Sequence, residues 1–116
     1  MEKFQAYLSD WVIDCIKNRD IFIKNIIDIK KEIEGFDFIV NFKDKKQYFI
    51  VKPFIDDING VISRFGKDGY FSLIVFNTKE NLNTIINNWD RLIKFKNLSI
   101  YFVNPLSGLD KKWIIL

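Results

Sequence analysis

The chain has 116 residues, 48% hydrophobic and 28% charged, with a net charge of +3, which is the size and apolar content of one domain with its own core and excludes a disordered chain. There is no His and one Cys, Cys15, so an internal disulfide, Ser-His-Asp or Cys-His catalysis and zinc sites of the His or Cys-cluster kind are excluded. A metal site would have to be built from carboxylates and carbonyls, which suit Mg²⁺, Mn²⁺ or Ca²⁺.

Residues 3–18 read as an amphipathic helix, with Phe4, Tyr7, Leu8, Trp11, Val12, Cys15 and Ile16 recurring at spacings of three and four. Lys17, Asn18 and Arg19 suit its C-terminal end. Glu2, Lys3, Asp10 and Asp14 interrupt these apolar residues, so no signal peptide is read there. No apolar run reaches the roughly 18 residues of a membrane span. A cytoplasmic protein without a membrane partner is expected.

Residues 21–33 support two readings. Ile21, Phe22 and Ile23 suit a strand, whereas Phe22, Ile26, Ile29 and Ile33 also fit helical spacing. A strand within the segment is the reading adopted. Phe36–Phe42 and Gln47–Lys52 are β-rich and flank the polar turn Lys43-Asp44-Lys45-Lys46, a hairpin pattern that Pro53 ends. Asp56 or Asp57 is placed to cap a short helix carrying Ile58, Val61, Ile62 and Phe65, closed by Gly66 and Gly69. Tyr70–Phe76 is a nearly continuous apolar run, as expected of a central strand buried on both faces. Thr78 and Asn81 read as an N-cap, opening a helix to about Phe95 with Leu82, Ile85, Ile86, Trp89, Leu92 and Ile93 inward. Leu98–Val103 is another strand, Leu106 to Asp110 a loop, and residues 111–116 a last strand. Trp11, Trp89 and Trp113 fall in apolar patterns and are expected in the core, as is Cys15, with a dimer interface as the alternative place for Trp113. The fold expected is a single α/β domain over residues 1–116, a mixed sheet flanked by helices with right-handed crossovers.

One helix, a hairpin with Gly35-Phe36-Asp37 opening one strand and Ile50-Val51-Lys52 closing the next, then helix, strand, helix and strand resembles the restriction-endonuclease-like core. The layout is nearest to that of archaeal Holliday junction resolvases and other PD-(D/E)xK nucleases. The resemblance runs from about Gly35 to Val103 and includes the first helix. In that family two carboxylates on the hairpin hold a divalent cation that activates water, and a lysine two residues past the second acid stabilises charge. By position, Asp37 matches the first acid and Lys52 the lysine. Ile50 stands where the second acid belongs, and a hydrocarbon cannot ligate Mg²⁺.

The resemblance therefore implies a nuclease-fold protein without catalysis that binds DNA, RNA or a partner protein, as a homodimer or as a subunit of a larger complex. No cofactor is expected on that reading. Two alternatives stay open. One is an active Mg²⁺-dependent nuclease whose second acid is Asp56 or Asp57 beside Asp37. The other is a protein-interaction module unrelated to nucleases. Lys43, Lys45 and Lys46, together with Lys52, are the candidate phosphate contacts. Lys94 with Lys96 and Lys111 with Lys112 add further positive spots.

Overall fold

The computed structural model describes the backbone of residues 2–33, 35–66, 69–104 and 112–115, and within these the side chains of residues 5–20, 24–33, 35–66 and 69–104. The elements in chain order are α1 (Glu2–Ile23), β1 (Ile26–Ile33), β2 (Phe36–Phe42), β3 (Lys46–Val51), α2 (Ile58–Ile62), β4 (Tyr70–Phe76), α3 (Lys79–Asn87), α4 (Trp89–Leu92), β5 (Leu98–Val103) and β6 (Lys112–Ile115). The six strands form one sheet in the order of the chain. β1–β2, β2–β3 and β5–β6 pair antiparallel, whereas β3–β4 and β4–β5 pair parallel. The α/β class and the mixed sheet follow the sequence expectation. The expected loop Leu106 to Asp110 and the side chain of Trp113 lie outside the described residues.

Each sheet face has its own core. On one face, Leu8, Val12 and Ile13 of α1 cover Phe38, Val40, Phe49, Val51, Ile74 and Val103. On the other, α2, α3 and α4 bring Val61, Ile85 and Leu92 against Ile50, Leu73, Val75, Ile100 and Phe102. Full burial of a side chain such as Leu8 contributes about 2 kcal/mol. β4 is buried at every position from Phe71 to Val75 because its two faces serve both cores. Trp11 and Trp89 are half-buried against opposite cores.

Several elements depart from the sequence pattern. α1 runs past Lys17, Asn18 and Arg19 to Ile23. Basic residues suit a helix end but do not stop a helix. Here the stop comes at Lys24, left-handed at φ 54°, and at Asp20, whose carboxylate accepts from Asn25 N–H at 2.6 Å and Ile26 N–H at 3.0 Å. Tyr7, placed inward by spacing, is 47% exposed. The ambiguous segment 21–33 is divided: Ile21, Phe22 and Ile23, which suit a strand by composition, form the last turn of α1, and β1 takes Ile26–Ile33, where a register shift between Ile26 and Asp28 leaves Ile27 as an extra, exposed residue on this edge strand. α2 ends at Ile62 rather than at the glycines, and Phe65 is buried beyond it.

The expected helix 79–95 is two helices, because Asn88 tightens the turn. Its N–H donates to Ile85 O, three residues back, and its Nδ2 donates to Thr84 O at 2.8 Å. The inward stripe is also rotated. It centres on Asn81, Ile85 and Leu92, leaving Leu82, Ile86 and Ile93 exposed. Asn81 draws the helix round. Its Nδ2 donates to Pro53 O at 2.8 Å and Phe76 O at 2.9 Å, and its Oδ1 accepts from Ile55 N–H at 3.0 Å.

Candidate functional site

Asp37 lies near the start of β2, where the pairing of β2 with β3 gives out at Phe38↔Phe49. Phe36 and Phe38, two residues apart, pack against opposite cores, so the alternation of the strand slips at Asp37. Its carboxylate takes the place of the missing ladder. Oδ2 accepts from Val51 N–H at 2.6 Å, and Oδ1 accepts from the Gln5 side chain on α1. Both oxygens are thus engaged within the fold, tying the first helix to the ends of two strands.

The other residues of the candidate acid site have engagements of their own. Ile50 is fully buried in the core under α2, α3 and α4. Lys52 donates its N–H to Ile74 O, and its ammonium stands 3.9 Å from Asp56 Oδ1, with Asp56 76% exposed. A pair this open contributes little. Asp57 caps α2, its Oδ1 accepting from Gly60 N–H at 3.1 Å. Asp37 therefore works with the helix on one face of the sheet, and Asp56 and Asp57 with the entry to the helix on the other. Among the described residues, no group of three or more Asp, Glu, Cys or His side chains converges to hold a metal ion. One engaged carboxylate beside a hydrocarbon does not supply the oxygen set that Mg²⁺ requires.

The lysines divide into two groups. Lys43, Lys45 and Lys46 stand at the β2–β3 turn, while Lys52 stands past the opposite end of β3. Six steps of about 3.3 Å put roughly 20 Å between Lys46 and Lys52, so Lys52 is not part of the basic turn. At that turn cations and rings alternate. Lys45 Nζ lies 5.0 Å from the centre of the Tyr70 ring and 5.7 Å from that of Phe42, and Lys46 Nζ lies 5.5 Å from that of Tyr48. Lys43 N–H donates to Asn25 O, which brings the neighbouring exposed Lys24 to the same end. Tyr70 is 40% exposed. The result is a cationic surface around a partly exposed ring, with Lys45 lying over Tyr70. Lys94 and Lys96 are exposed near the end of α4.

Sequence reasoning misses three of these participants. Gln5 is an ordinary polar residue in an amphipathic helix, and its partner is 32 residues away. Asn81 is legible as part of a cap, through its N–H to Thr78 Oγ1 at 3.1 Å, but not as a buried three-way tie. Tyr70 is legible as a strand residue only. No helix among the described residues is long and apolar enough to cross a membrane.

Comparison with family models, curated proteins and solved structures yields no match. The α/β class with a mixed sheet is what the fold itself defines, and any narrower kinship rests on the order of elements and on the residues described above.

Proposed function

We propose that this chain is a nucleic-acid-binding protein on a restriction-endonuclease-like core that has lost catalysis. The observation that carries the loss is at Asp37, whose two carboxylate oxygens serve Gln5 and Val51 while Ile50 occupies the position of the second acid with no exposure. The order of elements supports the kinship: one helix, a three-stranded meander, then helix, strand, helices and strand, with β3, β4 and β5 parallel. The basic, aromatic end formed by Lys24, Lys43, Lys45, Lys46 and Tyr70 supports the binding.

The test is titration of labelled single-stranded, duplex and junction DNA at two salt concentrations. Binding should weaken steeply with salt, and Lys43→Gln with Lys46→Gln should lower the salt slope by about one for each phosphate left without its lysine. Lys52→Gln should leave it unchanged. Absence of binding at low salt, or equal sensitivity to Lys52→Gln, would refute the assignment. Cleavage of any of these DNAs with Mg²⁺ or Mn²⁺, abolished by Asp37→Ala, would refute the loss of catalysis.

A second reading, a surface for a partner protein, is favoured by one observation. Leu82 and Ile86, one turn apart on α3, are 38% and 59% exposed, and adjacent exposed apolar side chains mark contact surfaces. Ile86→Glu should abolish any self-association or partner capture while leaving DNA binding intact.

A further inference from the structure

Among the described residues, α1 is the helix that covers this face of the sheet, and it leaves part of the face uncovered. Beside the C-terminal half of α1 a half-open cleft of about 220 Å³ reaches down to the sheet, among Trp11, Cys15, Phe42, Phe49 and Tyr101, with Arg19 at its edge. An apolar cavity of about 150 Å³ already admits benzene, so this one has room for a ring with a short side chain.

The polar groups around it are unequally committed. The two oxygens of Asp20 accept from Asn25 N–H and Ile26 N–H, so that carboxylate is turned to the start of β1. Gln47 donates to Ser72 Oγ at 2.6 Å. Arg19, in contrast, makes no hydrogen bond or ion pair with any described residue. An uncommitted guanidinium at the mouth of an aromatic cleft presents a planar fork matched to a carboxylate. A hydrocarbon acid would satisfy both parts at once, by removing apolar surface from water and by pairing the cation.

We propose that this cleft binds a small aromatic or aliphatic carboxylic acid, with its hydrocarbon among Trp11, Phe42 and Phe49 and its carboxylate on Arg19. The cleft adjoins the proposed nucleic-acid surface through Phe42 and Asn25, but the acid is held by Arg19 and not by the lysines of the β2–β3 turn.

Cys15 lines the cleft as a free, half-buried thiol and serves as the reporter. The experiment measures its alkylation by N-ethylmaleimide in the full chain against rising 4-phenylbutyrate or 4-phenylbutyramide, which differ in charge and little in shape. The acid should protect Cys15 saturably, and the amide should need about tenfold more for the same protection. Quenching of tryptophan fluorescence by the acid should follow the same curve and disappear in Trp11→Phe. Arg19→Gln, an exposed change that leaves the core intact, should erase the preference for the acid. Lack of saturable protection at about 10 mM acid, equal protection by acid and amide, or a preference that survives Arg19→Gln would each overturn the proposal. Loss of DNA binding with the cleft still selective would overturn only the nucleic-acid assignment.

Discussion

Replacing Asp37 distinguishes a structural carboxylate from a catalytic one. In Asp37→Ala the N–H of Val51, a fully buried residue, loses its acceptor, and Gln5 loses its partner across 32 residues. A hydrogen bond to a charged group is worth about 1.5–3 kcal/mol, and an orphaned buried N–H costs about 1–3 kcal/mol. Asp37 is half-buried, so water recovers part of the Gln5 bond, and the net loss should be about 3 kcal/mol. At about 4 °C per kcal/mol for a domain of this size, the midpoint of thermal unfolding should fall by about 12 °C. Asp37→Asn keeps an oxygen for Val51 N–H and a rotatable amide for Gln5, and should cost less than about 1 kcal/mol. Urea unfolding followed by circular dichroism measures both. If Asp37→Ala matched the wild type within about 0.5 kcal/mol, or if Asp37→Asn were as damaging as Asp37→Ala, the structural role assigned to this carboxylate would be wrong.

Other outcomes follow from the same structure. Asn81→Ala should destabilise by about 2–3 kcal/mol, because Ile55 N–H is orphaned while Pro53 O and Phe76 O each keep one backbone donor; urea midpoints decide it. Asn81→Asp would set a buried carboxyl against those two carbonyls, raising its folded pKa. Its deficit against wild type should be smallest near about pH 4 and grow as the pH rises through the raised value. Lys24→Gly should stabilise by about 0.5–1 kcal/mol, since glycine relieves the left-handed backbone at φ 54°; a lower urea midpoint than wild type would contradict that turn geometry. The Asp10 carboxylate, hydrogen-bonded to the exposed Lys31 ammonium at 2.8 Å, holds that lysine above its ordinary pKa. The pair's contribution is complete below the unfolded lysine value and lost only as pH rises through the folded one, so the unfolding difference between Lys31→Gln and wild type should stay flat from about pH 6 to 9. Millimolar Mg²⁺ or Mn²⁺ should leave the unfolding midpoint where an equal ionic strength of NaCl leaves it, whereas a metal held by Asp37 would raise it.

What the sequence disclosed was local. The run Tyr70–Phe76 announced a strand buried on both sides, and the polar turn between Phe42 and Gln47 announced the hairpin, because both signals lie within a few residues. Thr78 as a cap was legible for the same reason. The shape of the acid site was not, since Gln5 and Asp37 meet only after a helix and a strand have packed, and no periodicity encodes that meeting. The lysine set failed similarly. Lys46 and Lys52 are close in sequence, but an extended strand converts six residues into the length of the sheet. Asn81 misled most. Hydrophobic spacing placed Leu82 and Ile86 inward, whereas three hydrogen bonds to one amide outweighed two aliphatic side chains in setting the rotation of α3.

The sheet adds its strands in the sequence in which translation delivers them. No strand has to be slipped between two neighbours that have already joined, and each strand pairs with the one that precedes it in the chain, the connection from β4 to β5 running through α3 and α4. A nascent chain can therefore extend the sheet from one side as it emerges, starting from the β1–β2–β3 meander. Shortening the chain from its C-terminus should accordingly peel strands from one edge only, leaving the pairing of the first three in place.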